Sequence, residues 1–250
     1  MPDHVTLHPL DADIVARYVA AVVRSATAAG ALVPHDPAWA EHLIAGARAS
    51  YATVRGSEAA GVNAVSVGLA KVLATAHPTY LGAGIGLSLW EARTDRGLGM
   101  LLRPPSRLFG EAGVAMGVAR AMPIRLDPSR GQMGGSHIPA RLIPELRLLL
   151  DARTDRLLRR LADAELDPVP TLGLLMEAVA YAERHGMGLY EASGVVDPRA
   201  PAAAPPGTRA LVPDRTRLDP ALRTRLEEAA RPPAKPGLLS RLSPRRARRL

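Results

Sequence analysis

Residues 144–166, PELRLLLDARTDRLLRRLADAEL, carry the clearest helical pattern in the chain. Leucines recur at spacings of three and four residues, which is the period of one face of an α-helix. Charged residues of mostly opposite sign follow one another at four-residue steps, a spacing that suits ion pairs along a solvated face. The pattern therefore predicts an amphipathic helix that packs on a core through Leu146, Leu149, Leu150, Leu157, Leu158 and Leu161.

Further helices are predicted on both sides of this segment. Aspartate and threonine side chains favour helix starts because they accept first-turn N–H groups, proline is accepted in the first turn, and glycine favours helix ends. Residues 62–76 are apolar on nearly all sides, which is typical of a central core helix. The predicted helices are Asp11 to Ala29, Asp36–Pro37 to Val54, Val62 to Ala76, Glu111 to Ala121, and a helix from a Thr171 cap to a Gly186 stop.

Short strands complete the predicted fold. Alternation of apolar and polar residues indicates strands at His4 to Pro9 and Pro123 to Leu126, with Ser136 to Leu142 as a returning partner across the Gly134–Gly135 turn. The pattern leaves Leu81 to Trp90 open between a strand and a short helix. We predict a helix-dominated α+β fold, built as a single globular domain with a few short strands and a disordered basic C-terminal tail.

The charge of the chain is concentrated at its end. Residues 1–196 hold 19 basic and 19 acidic residues, whereas residues 231–250 hold seven basic residues and no acid, out of a net +8. Ten of the 23 prolines follow Val196, and proline cannot continue a helix or a central strand. We therefore predict a globular domain over 1–196, a linker rich in proline and alanine over 197–218, a short helix over 219–231 and a disordered basic tail over 232–250.

Composition and motifs exclude several functions. The chain has no cysteine, so it lacks disulfides, thiolate metal sites and cysteine nucleophiles. It contains no phosphate-loop motif, no His-Glu-x-x-His and no Gly-x-Ser-x-Gly. Eight aromatic residues supply few platforms for stacking bases. We accordingly expect no cofactor and no metal.

The sequence also predicts a cytoplasmic protein without a membrane span. Residues 61–90 are poor in charge, but Lys71 and the His77–Pro78 pair divide them into stretches shorter than the roughly 20 apolar residues that a span needs. The acidic start is unlike the n-region of a signal peptide, and Arg17 and Arg24 interrupt the apolar residues behind it.

One segment has the composition of a binding site. Residues 123–141, PIRLDPSRGQMGGSHIPAR, place several arginines, a serine and a histidine around a glycine turn. Glycines let backbone N–H groups approach an anion, and guanidinium groups bind oxyanions through two parallel hydrogen bonds. His137 is the predicted acid or base, because an imidazole titrates near neutrality. The predicted ligand-binding residues, for a phosphate or carboxylate, are Arg125, Arg130, Ser136 and Arg141.

The basic tail suggests a different role. Seven positive charges without an acid attract polyanions whatever their sequence. The polyanion-binding residues predicted there are Arg241, Arg245, Arg246, Arg248 and Arg249. The other interpretation of the tail is a solvated end that keeps the protein soluble.

Three functions remain open from the sequence. The first is a non-catalytic cytosolic interaction or regulatory protein whose tail docks on an acidic partner. The second is a small-molecule enzyme or binding protein that uses residues 123–141, to which the loop Arg103–Arg107 would add two guanidinium groups. The third is an accessory nucleic-acid binder that acts through the tail. The sequence leaves open whether the protein is an enzyme.

Overall fold

The computed structural model describes residues 5–24, 29–54, 63–82, 97, 100–104, 107–122, 136–196, 209–211 and 220–230. The helices are α1 (Asp13–Arg24), α2 (Pro37–Val54), α3 (Ala64–Thr75), α4 (Leu108–Glu111), α5 (Met116–Ala121), α6 (Ile143–Asp163), α7 (Leu174–Arg184) and α8 (Pro220–Ala230). The strands are β1 (Val5–Leu10), β2 (Thr79–Gly82), β3 (His137–Ile138), β4 (Gly188–Ser193) and β5 (Arg209–Leu211). The predicted helix-dominated α+β class is confirmed.

The strands form one sheet in the order β3-β4-β1-β2-β5. The pairs β3–β4, β4–β1 and β1–β2 are antiparallel, and β5 adds to β2 in parallel. Successive side chains on a strand point to opposite faces. Leu10, Tyr190 and Ala192 accordingly belong to a core with α1, α2 and α3, whereas Leu7 and Leu189 belong to a second core with α6, α7 and α8. The sheet thus separates two helical layers.

The amphipathic helix predicted from residues 144–166 is α6. Five of its six predicted core leucines are buried, and Leu149 is half-buried. On the exposed face Arg147 lies 3.9 Å from Asp151, four residues on, and also pairs with Glu183 of α7. The helix ends in a turn that places Glu165 in the left-handed region at φ 55°.

Local helix signals predicted the first two helices well. Asp36 accepts a hydrogen bond from the Trp39 N–H at 3.0 Å, with Pro37 at the first helical position of α2. Asp11 accepts from the Asp13 N–H at 3.0 Å and starts α1. The predicted end of this helix at Ala29 is wrong, since Ala29 begins a separate 3-10 turn, Ala29–Leu32, and residues 25–28 lie outside the described residues.

The predicted core helix over 62–76 is α3. Asn63 accepts hydrogen bonds from the Val65 and Ser66 N–H groups and caps it. Most of its residues are buried, as an all-round apolar helix requires. No helix within the described ranges is long and apolar enough to span a bilayer.

Two helix predictions need correction. The single helix predicted over 111–121 is two short helices, α4 and α5, because Gly113 adopts φ +67° and ends the first. The Thr171 hydroxyl donates to the Asp167 carbonyl at 2.6 Å, so Thr171 lies inside a π-turn, Val169–Gly173, and is not a cap. The predicted stop at Gly186 is confirmed by φ +62° after α7.

The strand predictions are confirmed in part. The first strand is displaced by one residue, and Leu81 belongs to β2, whereas residues 83–90 lie outside the described part of the chain. The strand predicted over 136–142 spans only His137 and Ile138, because Pro139 leads into a 3-10 turn, Ala140–Leu142. Its partner is β4, and the predicted partner, residues 123–126, lies outside the described residues.

The prolines after Val196 predict that the globular domain ends at residue 196. Two described elements beyond that residue pack on the fold. β5 lies within the predicted linker and pairs with β2 over Thr79–Leu81. α8 corresponds to the short helix predicted over 219–231, and its Leu226 is fully buried in the second core. The segment 232–250, predicted as a disordered tail, lies outside the described residues.

Candidate functional site

His137 lies in β3, between Tyr190 of β4 and the backbone of Arg103. On one side His137 is paired with Tyr190 of β4. On the other side its N–H donates to the Arg103 carbonyl at 3.0 Å, and its carbonyl accepts from the Arg103 N–H at 2.8 Å. Both backbone polar groups of His137 are therefore satisfied, and the position of its side chain is set from both sides.

His137 is a buried residue that lines a small cavity. The residue is 0% exposed and lines a cavity of about 160 Å³. Neither ring nitrogen has a hydrogen-bond partner among the described residues. Burial is the main cause that lowers the pKa of His137 to about 4; the charge of Glu111 opposes it, and the charges of Arg103 and Arg141 lower the pKa further. The ring is consequently neutral at pH 7.

An ion pair stands beside this histidine. Glu111, the last residue of α4, binds Arg141 of the 3-10 turn through both carboxylate oxygens, with Nη2 and Oε1 2.9 Å apart. Both residues line the cavity. The hydrogen bond from Arg141 holds the pKa of Glu111 below its usual range and raises that of Arg141. The Glu111 side chain is 18% exposed and that of Arg141 60%, so the pair lies between the cavity and solvent.

The site carries an excess of positive charge. Arg103 donates to the carbonyls of Met100 at 2.7 Å and Leu102 at 3.1 Å, and its charge acts on both His137 and Glu111. Arg141 and Glu111 balance within the cavity lining, and Arg103, which does not line the cavity, adds one positive charge near the neutral imidazole. The remaining wall is apolar and comes from Leu10, Ala12, Pro139 and Ala140.

The structure brings together part of the predicted site. His137 and Arg141 share the cavity. The main-chain carbonyl of Ser136 accepts from the Glu191 N–H at 3.0 Å, and Ser136 is not among the cavity residues. Arg107 is exposed and does not line the cavity either. Arg125, Arg130 and the tail arginines 241, 245, 246, 248 and 249 lie outside the described residues.

Sequence reasoning missed Glu111. The sequence pattern predicts Glu111 only as the first residue of a helix. Glu111 is nevertheless the only acidic residue between Asp95 and Asp127, a stretch with five arginines. A lone carboxylate among arginines was the sequence feature that could have indicated an ion pair at Glu111. The pairing with Arg141, 30 residues later, has no local signature.

A row of buried polar side chains continues from His137 across the sheet. Tyr190 is opposite both His137 and His8, and the rings of His8 and Tyr190 lie 6.4 Å apart. His8 Nε2 lies 2.7 Å from the Thr6 hydroxyl, and burial lowers the pKa of His8 to about 3. In the described part of the chain no group of three histidine, cysteine, aspartate or glutamate side chains could hold a metal ion.

Comparisons with known proteins add no relative. No protein-family model matches the chain, and neither a curated protein nor a solved structure does.

The chemistry of the cavity follows from its geometry. A neutral imidazole offers one N–H donor and one acceptor nitrogen. A buried polar group without a partner costs about 1–3 kcal/mol, which a bound molecule with complementary groups would recover. The cavity has room for about five water molecules at roughly 30 Å³ each, which is the size of a small organic molecule or an inorganic oxyanion.

Proposed function

We propose that the protein binds a small phosphate- or carboxylate-bearing ligand in the His137 cavity. The observation that carries this proposal is the fully buried imidazole of a cavity-lining residue, both of whose nitrogens lack a partner among the described residues. A ligand oxygen would accept from the imidazole N–H, and a ligand hydroxyl would donate to the other nitrogen.

The charges support an anion over a cation. Arg141 is the residue that would bind it, because a guanidinium binds oxyanions through two parallel hydrogen bonds. Glu111 already binds Arg141 in this way, so a ligand anion either replaces that carboxylate or adds to the exposed side of the guanidinium. The apolar wall at Leu10 and Pro139 favours a ligand with a short hydrocarbon portion. Arg125 and Arg130 remain proposed further cations.

The same site could serve an enzyme. His137 is neutral at pH 7 and so has a free nitrogen lone pair to accept a proton from a bound ligand, although its lowered pKa makes it a weaker base than an exposed histidine. We keep this catalytic role of His137 as part of the proposal.

Ligand-dependent thermal stability tests the proposal. We expect inorganic phosphate, acetate or a two- to four-carbon hydroxy acid to raise the Tm, because a ligand that binds only the native state stabilises it, by about 2.7 kcal/mol at a concentration of 100 Kd. Arg141→Ala and His137→Gln should each abolish the rise, whereas the exposed Arg107→Ala serves as a matched control and should retain it. Equal responses in all four proteins, or none from any compound, contradict a ligand site here.

A second function is proposed for residues 231–250. Seven basic residues without an acid, together with Leu238, Leu239 and Leu242, favour docking on an acidic protein face. This is the interaction or regulatory protein predicted from the sequence, and nucleic acid is the alternative polyanion.

Deletion of residues 231–250 tests the tail. The full chain should be retained on heparin in a salt-sensitive manner, and the shortened chain should not. Competition then separates the partners: elution by polyglutamate at concentrations where duplex DNA has no effect supports an acidic protein, and the reverse order supports nucleic acid. Unchanged retention after the deletion contradicts both.

A further inference from the structure

A second cavity is a groove on the opposite side of the sheet from the core of α1, α2 and α3. It has a volume of about 850 Å³ and lies between α6, α7 and α8. Volumes of about 300–1,000 Å³ are usual for sites that bind small organic molecules. None of the residues of the His137 cavity lines it, so the two sites are independent.

The groove is apolar along its floor. Leu150 of α6 and Val179 of α7 are buried there, and Met176, Ala180 and Leu222 are half-buried. Such a surface favours a hydrocarbon body, because the removal of apolar area from water is favourable.

One end of the groove has a guanidinium group available for an anion. Arg184 uses its Nε to donate to the Ala180 carbonyl at 3.2 Å, and its guanidinium carbon lies 5.7 Å from the centre of the Tyr181 ring. No carboxylate of the described residues lies within 4 Å of Arg184, and its two terminal nitrogens donate to no described residue. They are the nitrogens that would hold a carboxylate through two parallel bonds.

The other charges of the groove are largely paired. Arg147 binds Glu183 and Asp151, and Arg225 binds Asp155. Glu177 also lines the groove. Of the three arginines in the lining, Arg184 is the one without an ion-pair partner among the described residues.

The spacing along α7 separates the apolar part from the charge. Met176, Ala180 and Arg184 follow one another at four-residue steps and therefore lie in one line along the helix. Eight residues at 1.5 Å each place the methionine and the arginine about 12 Å apart along the axis. A ligand with its head at Arg184 would extend its body past Ala180 toward Met176.

We propose that this groove binds a single-chain anionic amphiphile, a molecule with a carboxylate head and an unbranched hydrocarbon body. The head pairs with the terminal nitrogens of Arg184, and the body covers Ala180, Met176 and Leu222. This site is additional to the oxyanion site at His137 and does not depend on it.

Calorimetry with decanoate tests the proposal. We expect one decanoate per chain to bind saturably below its critical micelle concentration, and decyltrimethylammonium and acetate to fail to compete. Arg184→Ala should weaken binding about tenfold or more, because a charge-assisted hydrogen bond contributes about 1.5–3 kcal/mol and 1.4 kcal/mol is a factor of ten. Arg184→Lys should retain part of the affinity.

Two further variants make the result decisive. Ala180→Trp should block the groove and abolish binding, with circular dichroism as the check on folding. Arg156→Ala, at an exposed position of α6 outside the groove, should leave the decanoate affinity unchanged. The proposal is overturned if decanoate does not saturate, if decyltrimethylammonium binds equally well, or if Arg184→Ala binds decanoate as the unchanged chain does.

Discussion

At His137, burial determines the protonation state. The ring has lost its contact with water, and the nearby carboxylate of Glu111 does not compensate, because it is engaged with Arg141 and two guanidinium groups oppose it. A pKa of about 4 in the folded protein, against 6.5 in the unfolded chain, links this residue to stability.

The stability of the protein should fall as the pH falls below about 6.5. Between that pH and about 4 the unfolded chain binds a proton at residue 137 and the folded protein does not, so protonation favours unfolding. The linkage contributes about 1.4 kcal/mol per pH unit, or about 3 kcal/mol over the whole interval. Urea unfolding at pH 7, 6, 5 and 4.5 measures it.

The matched variant for this measurement is His137→Gln. Its absolute stability will differ, but its slope with pH should be smaller by about 1.4 kcal/mol per unit. His8, whose pKa is also lowered, continues to contribute to the slope of the variant. Identical slopes in the two proteins would show that His137 does not titrate as its burial requires.

Glu165 has a backbone conformation that costs free energy. It adopts φ 55° after α6, where the Leu166 N–H donates to the Leu161 carbonyl and the Glu165 N–H to the Ala162 carbonyl. This turn usually contains glycine, because a side chain in the left-handed region costs about 1–2 kcal/mol. Glu165→Gly should stabilise the protein by about 1 kcal/mol, measured by urea unfolding, whereas Glu165→Ala should not. A loss of stability in the glycine variant contradicts this view of the turn.

At the scale of elements, α1 and α3 approach each other closely at Gly68. A Cβ atom at residue 68 would lie 2.5 Å from the Tyr18 hydroxyl oxygen. That hydroxyl is buried and donates to the Val65 carbonyl at 2.7 Å, and burial raises its pKa. The absence of a side chain at residue 68 is thus required by a hydrogen bond between two helices.

A double-mutant cycle isolates this contact. Gly68→Ala should destabilise the protein by about 1–3 kcal/mol, because the added methyl group displaces Tyr18. In a Tyr18→Phe background the obstructing oxygen is gone, so the same substitution should be neutral or stabilise by up to about 1 kcal/mol, which is the helix preference for alanine over glycine. Additive effects in thermal or urea unfolding would refute the contact.

At the scale of the whole molecule, the described fold includes residues beyond 196. Leu226 of α8 is fully buried in the core formed with α6 and α7. β5 covers the edge of β2 that would otherwise present unpaired backbone groups. The C-terminal part of the chain therefore contributes to the body as well as carrying the basic residues.

Truncation tests this organisation. A chain that ends at residue 196 should lose at least as much stability as Leu226→Ala, for which we expect about 2–5 kcal/mol, the usual cost of removing a buried leucine side chain. Glu227→Ala, at the neighbouring exposed position, is the control and should have little effect. An unchanged Tm on truncation after residue 196 would instead support a domain that ends there.

Only part of the His137 site can be predicted from local sequence patterns. Histidine, arginine and glycine occur together in the segment 123–141, which predicts a binding site there, and His137 and Arg141 do share a cavity. Their partners come from elsewhere: Glu111 ends α4, and Arg103 forms the backbone bridge. A pairing between residues 30 positions apart depends on how two turns are packed, which no pattern within either segment contains.

The sequence by itself determined where the main helices lie, which faces they bury, and that the positive charge is concentrated in the last twenty residues. Capping side chains, prolines, glycines and the 3.6-residue period act within a few neighbours, so they can be recognised without a fold. Only the tertiary structure decided that β3 joins β4, that β5 joins β2, that His137 is buried, and that α6, α7 and α8 enclose a groove. These features depend on contacts between distant segments, whose free energy is gained only when the chain is assembled.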